Sequence, residues 1–181
     1  MLRNRWIATG CAVLLAGGIL LTKSALAAGD TAPVGSAAPS FTLPSQENLP
    51  VSLGDYKGKW VVLYFYPKDQ TSGCTIEAHN FQRDLKKYEA LNAVVLGVSL
   101  DTTDSHKAFC TKDSLTFKLL ADPEHKVVDA YGSLGHFGPM TIASRNTFLI
   151  DPHGKIVKEW TKVDPTGHSA EVLAALAELK K

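Results

Sequence analysis

Charge of one sign is missing: 19 Lys and Arg stand against 18 Asp and Glu, a formal net charge of +1 at pH 7. That balance excludes the basic face on which a nucleic-acid binder depends. Cysteine is scarce as well. The three present, Cys11, Cys74 and Cys110, are too few for a disulfide scaffold, and they lack the paired C-x-x-C spacing of a structural zinc site. No internal repeat or low-complexity tract is present. With 45% hydrophobic and 20% charged residues the chain can bury a core, so wholesale disorder is excluded. Its 181 residues suit one domain with at most a short appendage.

One long apolar run stands apart from the rest. Arg3 and Arg5 precede residues 6–21, which are uncharged and mostly apolar, and Ala25-Leu26-Ala27 follows as a small-x-small cleavage pattern. These features predict a cleaved signal peptide over 1–27, a flexible, exposed arm over 28–38 and a folded domain over 39–181. An uncleaved membrane anchor is the competing reading, but the run is shorter than the roughly 20 residues a span needs. A lipoprotein signal fits less well, because Cys11 lies inside the run and follows Ala8-Thr9-Gly10 without a leucine. Cleavage would remove Arg3, Arg5 and Lys23, taking the net charge from +1 to −2. The mature chain would then be periplasmic or secreted, with no membrane association. It would keep only Cys74 and Cys110, in an oxidising compartment.

Hydrophobic periodicity outlines the domain. Residues 44–50 read as a polar loop, and Gly54-Asp55 and Lys57-Gly58-Lys59 as turns. Residues 60–66 form a continuous apolar, β-branched and aromatic run, as expected of a strand buried on both faces; 93–100 repeats the type and 146–150 opens a third strand. Ala78, Phe81, Leu85 and Tyr88 mark one face of a helix over about 74–90. A polar helix is predicted over 103–112 and a short one over 124–131. Residues 151–154 form a turn leading into 155–163, hence an antiparallel hairpin. Ser169 is the expected cap of a last helix carrying Val172, Leu176 and Leu179. The order β-α-β-α-β-β-α, with one extra short helix, predicts a thioredoxin-like three-layer α/β/α sandwich with a mixed central sheet.

The chemistry lies where the first long strand ends. Cys74 falls at the junction of a polar loop and the first turn of a helix, where unpaired backbone N–H groups and the helix dipole stabilise an anion. The thiolate is the nucleophilic form of cysteine, so this placement suits a reactive thiol better than an inert buried one. Pro67 ends the strand and fixes the exit of the chain. Thr71 puts a hydroxyl three residues before the sulfur and also fits a helix N-cap.

The run Pro67-x-x-x-Thr71-x-x-Cys74 resembles the active-site motif of the peroxiredoxins. The resemblance spans nearly all of the expected mature chain, from Ala38–Leu43 to Lys162–His168, and Arg145–Asp151 is similar to the family segment that carries its active-site arginine. Thr75 and Glu77 are similar to the peroxiredoxin Q, or bacterioferritin comigratory protein, branch. The resemblance implies a thiol-dependent peroxidase for hydrogen peroxide and organic hydroperoxides, with Cys74 as the peroxidatic cysteine and an antioxidant role. Thr71 Oγ would then hydrogen-bond the sulfur and a peroxide oxygen, and Arg145 would orient the peroxide and hold the thiolate charge. It implies no cofactor and no metal, and a thioredoxin-like disulfide reductant as partner; a monomer is the favoured state.

The sequence departs from the commonest pattern of that branch at position 79, where a resolving cysteine gives way to His79. Cys110, 36 residues after Cys74, resembles the resolving cysteine that some members carry on another helix. A bond between the two needs Cα atoms within about 7 Å, so local unwinding around one of them is expected. Two readings compete: a small buried Cys110 beside a one-cysteine peroxidase resolved by an external thiol, or a permanent structural disulfide. A thioredoxin-like disulfide oxidoreductase is a further alternative, against which stands the single cysteine in residues 71–74. His106, His125, His136, His153 and His168 show no metal spacing and read as polar surface residues, and His79 is too far along the helix to pair with the sulfur.

Overall fold

A five-stranded mixed sheet forms the centre of the computed structural model, which describes residues 31–181. The expected signal peptide, 1–27, and residues 28–30 lie outside the described residues. A small antiparallel hairpin, β1 (Thr42–Pro44) and β2 (Pro50–Ser52), comes first. There follow β3 (Trp60–Phe65), α1 (Ser72–Ala90), β4 (Ala93–Ser99), α2 (Thr103–Asp113), β5 (Lys118–Ala121) and α3 (Lys126–Ala130). A second hairpin, β6 (Leu134–Phe137) and β7 (Met140–Ala143), precedes β8 (Thr147–Ile150), β9 (Ile156–Trp160) and α4 (His168–Leu179). The central order is β5-β4-β3-β8-β9. Strands β3, β4 and β5 are parallel, and β8 and β9 are antiparallel to their neighbours.

Alternation along the strands divides the core into two layers, because successive side chains point to opposite faces. Val61, Leu63 and Phe65 of β3 pack with Val128 and Tyr131 beside α3 on one face. Val62, Tyr64 and Tyr66 pack on the other with Ala78 and Phe81 of α1, Phe109 of α2 and Val172 of α4. Cys74 and Cys110 both belong to this second layer. The three-layer α/β/α arrangement with a mixed sheet therefore stands.

Several local expectations are corrected. The stretch expected to be an exposed arm is docked from Ala32 onward: Ala32 is buried, its N–H donates to Tyr131 O, and those of Gly35 and Ala38 donate to Ile156 O and Gly154 O. Gly, Ala and Pro there accompany backbone pairing to the β9 edge. Strand β5 and the hairpin β6–β7 were not expected, since four-residue strands carry too little periodicity to register. The short helix begins at Lys126, not 124, after His125 takes a left-handed conformation with φ 48°. Ser169 lies inside α4, whose N-cap is Gly167. Its hydroxyl instead donates to Asp84, and its carbonyl accepts from Tyr88 OH. His106 and His168, expected at the surface, are fully buried. Among the described residues no helix is long and apolar enough to cross a membrane.

Candidate active site

Pro67 follows the edge of β3, and the chain crosses in seven residues to Cys74, the third residue of α1. Thr71 is the N-cap, with extended backbone, and its carbonyl accepts from Thr75 N–H at 2.9 Å. Cys74 is 2% exposed and sits among the side chains of the α1 layer. The first turn of α1 contains no acidic residue to oppose an anion at that end.

Arg145 reaches the sulfur from the segment between β7 and β8. Its Nη2 donates to Cys74 Sγ at 3.3 Å, and its Nη1 donates to Glu77 Oε2. The arginine backbone is held at both sides: Val163 N–H donates to Arg145 O, and the carbonyl of Asn146 accepts from Phe65 N–H at 2.8 Å. The guanidinium is thus fixed between two acceptors instead of extending into water. Burial pushes the Glu77 carboxyl up, to about 7, against the pull of Arg145. Glu77 Oε1 is buried with no partner, so this side chain has a single strong contact.

Of the residues named from sequence, Arg145 reaches Cys74, and Thr71 is the N-cap of the helix that carries it. The Thr71 hydroxyl does not point at the sulfur as a donor. It donates to Lys68 O at 3.0 Å, closing the loop on itself and leaving only its lone pairs free. His79 turns away, with Nε2 2.9 Å from Asp113 Oδ1 at the end of α2.

Cys110 lies on α2, on the same side of the sheet as Cys74, and both are free thiols. Burial pushes the Cys110 thiol up to about 12, so in this closed arrangement it is a neutral thiol. It borders an open cavity of about 380 Å³ lined also by Gln46, Glu47, Lys107, Thr111 and Leu115.

Sequence reading missed a second group beside the site. Asp69, in the loop before Cys74, is buried and accepts from Tyr66 OH at 2.7 Å and Ser105 Oγ at 2.7 Å. An ionised carboxylate only accepts, so His106 Nδ1 is the donor in its 2.9 Å contact with Asp69 Oδ2. Burial works to raise the Asp69 carboxyl, but these bonds outweigh it and hold the group below the usual carboxylate value. Among the described residues no group of three or more His, Cys, Asp or Glu side chains is placed to hold a metal ion.

The AhpC/TSA family model matches residues 34–159. Peroxiredoxin Bcp of Bacillus subtilis is 42% identical over 155 residues, 83% of this chain and 99% of that protein. The chloroplastic peroxiredoxin Q of Sedum lineare is 42% identical over 148 residues, 81% of this chain and 78% of its own. Among solved structures, peroxiredoxin Q of Xylella fastidiosa superposes with a TM-score of 0.76 at 36% identity, covering 87% of this chain and 99% of that one. Peroxiredoxin Q of Xanthomonas campestris gives 0.74 at 35% identity, covering 78% and 92%. A thioredoxin-like sheet with a cysteine opening its first long helix under an arginine defines a thiol peroxidase. The chain belongs to the AhpC/TSA family and is a peroxiredoxin of the Bcp and peroxiredoxin Q kind.

Proposed function

We propose that the protein reduces hydrogen peroxide and organic hydroperoxides by attack of the Cys74 thiolate on the peroxide O–O bond. The observation that carries this reading is Arg145 Nη2 donating to Cys74 Sγ at 3.3 Å at the start of α1. The thiolate bonds one peroxide oxygen, the O–O bond breaks, and the leaving oxygen takes a proton to depart as water or an alcohol. Cys74 becomes a sulfenic acid. A guanidinium fixed between Glu77 and the sulfur is preorganised to donate to the oxygens as charge shifts onto the leaving one. Thr71 contributes loop closure and acceptor lone pairs, and Pro67 fixes the exit from β3. One Xanthomonas campestris relative was solved to explain its alkyl peroxide reduction, which supports including organic hydroperoxides.

Cys110 is the proposed resolving thiol. It condenses with the Cys74 sulfenic acid to a disulfide and releases water. The Xanthomonas relative was solved with serine at each of two cysteines as far apart in its sequence as Cys74 and Cys110 are here. A thioredoxin-like reductant then exchanges with that disulfide, the cavity beside Cys110 offering a way in. Among the described residues Cys74 and Cys110 are both free thiols, the state in which this cycle begins. The favoured state is a monomer, exported by the 1–27 segment to the periplasm or the medium, where it serves in antioxidant defence.

Cys74→Ser is expected to abolish peroxide consumption driven by a thiol reductant while leaving the melting temperature near wild type. Retention of near wild-type turnover would overturn the assignment. Amino-terminal sequencing of the native protein is expected to read from Ala28; an intact Met1 would reject export by cleavage.

A further inference from the structure

Helix α2 is an unusual carrier for a reactive cysteine, because little apolar surface holds it down. Only His106, Phe109 and Cys110 of its eleven residues are buried. What fastens its first half is polar. Asp69 of the Cys74 loop takes hydrogen bonds from Ser105 Oγ at 2.7 Å and His106 Nδ1 at 2.9 Å, and His106 stands one helical turn before Cys110. The carboxylate is fixed in turn by Tyr66 OH at 2.7 Å, and the Asp69 N–H donates to Asp101 at 2.9 Å. His106 Nε2 is buried without a partner, and the one other polar group near the ring, Tyr66 OH at 3.3 Å from Nδ1, is itself bonded to Asp69, so Asp69 is the centre of this anchor. One buried carboxylate therefore joins the loop that leads into the peroxide-reactive sulfur to the helix that carries the second sulfur.

We infer that the buried Asp69–His106 pair is a positioning element: it holds the Cys110 helix closed against the Cys74 loop and so sets how readily Cys110 captures the sulfenic acid. Two reactions compete for that acid. In the first, Cys74–SOH and Cys110–SH condense; an S–S bond forms and water leaves. In the second, a further peroxide molecule oxidises Cys74–SOH to the sulfinic acid and is itself reduced to water or alcohol. Condensation requires α2 to open, since Cys110 is buried and unbonded while closed. A hydrogen bond to a charged group weighs enough that its loss raises the population of an open state about tenfold or more. The pair thus slows resolution and widens the interval in which sulfenic acid persists. This inference rests on Cys110 being the resolving thiol.

The test is the rate of disulfide formation after a single peroxide pulse, followed by quenched thiol labelling and mass spectrometry. His106→Leu keeps the buried volume but removes the donor; it is expected to form the Cys74–Cys110 disulfide about tenfold faster. It should also need about tenfold more peroxide for half-conversion to sulfinic acid. His106→Asn, whose amide can donate from near the Nδ1 position, should restore wild-type values. The consumption of the first peroxide should be unchanged in both. Ser105→Ala, a milder loss on a partly exposed side chain, gives a smaller change of the same sign and serves if His106→Leu does not fold. An unchanged or slower disulfide step in these variants would overturn the positioning role. Failure of wild type to form any intramolecular disulfide would instead reject Cys110 as resolving thiol, a distinguishable result.

Discussion

A carboxyl group one helical turn from a nucleophilic thiolate ordinarily works against it, because two like charges at i and i+3 repel. Here Arg145 stands between Cys74 and Glu77 and bonds to both. Glu77 gains no solvent, being 1% exposed, so burial raises its carboxyl to about 7 despite the arginine. An acid raised in the folded state costs stability once the unfolded chain ionises it. Below pH 4.5 the group is protonated in both states; between 4.5 and about 7 only the unfolded state releases the proton, and stability falls across that window. Glu77→Gln removes this loss. Its stability relative to wild type is expected to rise from pH 4.5 to 7 by up to about 3 kcal/mol, measured by urea denaturation at each pH. A flat difference would show Glu77 ionised throughout.

At this scale the sequence was informative where chemistry is local. Cys74 was legible from its place at a loop-to-helix junction, and Arg145 from the segment it opens. Glu77 registered only as a marker of the branch, because its contact with Arg145 crosses 68 positions of sequence. His106 and His168 were misplaced for the same reason. Nothing near either one in sequence signals the aspartate or threonine that satisfies it in the core. The spacing of Thr71 and Cys74 does not signal that the Thr71 hydroxyl donates within its own loop, to Lys68 O.

Among elements, β4 shows how a small residue sets the layer around both sulfurs. Gly97 faces Tyr64 on β3 and Leu119 on β5 in register. A Cβ there would lie 2.7 Å from Tyr64 Cζ and 2.7 Å from Leu119 Cδ2. Neither neighbour can yield easily: both are fully buried, and Tyr64 is stacked on Tyr66 and Phe81. Gly97→Ala is expected to destabilise the fold by about 1–3 kcal/mol through overpacking. The melting temperature should drop by about 2–4 °C per kcal/mol in a scanning calorimeter. A neutral substitution would mean that the Tyr64 layer shifts without strain. The long strands β3 and β4 and helix α1 were read to within two residues, because seven apolar residues or three repeats of a face leave little ambiguity. Strand β5 escaped since it follows a polar helix and spans only Lys118–Ala121.

For the molecule as a whole the pH response is a balance, because His168 loses stability as pH falls over nearly the window in which Glu77 gains it. His168 packs between Phe81 and Trp160, its Nε2 2.8 Å from Thr147 Oγ1, and its Nδ1 has no hydrogen-bond partner. Burial, with Arg145 adding to it, lowers its pKa from 6.5 to about 4. Above pH 6.5 the imidazole is neutral whether folded or not, and that stability is fully present. As pH falls from 6.5 towards 4 the unfolded chain binds a proton that the folded one refuses, and up to about 3 kcal/mol is lost. His168→Gln, which keeps a polar group for Thr147, should remove that loss, so its stability relative to wild type rises as pH falls from 6.5 towards 4 in a pH series of denaturant midpoints. A difference that stays flat with pH would show that His168 contributes no such loss.

The intact mass and peptide map of the mature protein, taken before and after one equivalent of hydrogen peroxide without reductant, test the peroxidatic role of Cys74 most directly. Wild type is expected to lose two hydrogens and to yield a Cys74–Cys110 crosslink within one chain. Cys110→Ser is expected to gain one oxygen at Cys74, trapped as sulfenic acid by a dimedone-type reagent. Oxidation at Cys110 with Cys74 left as a free thiol would contradict that role.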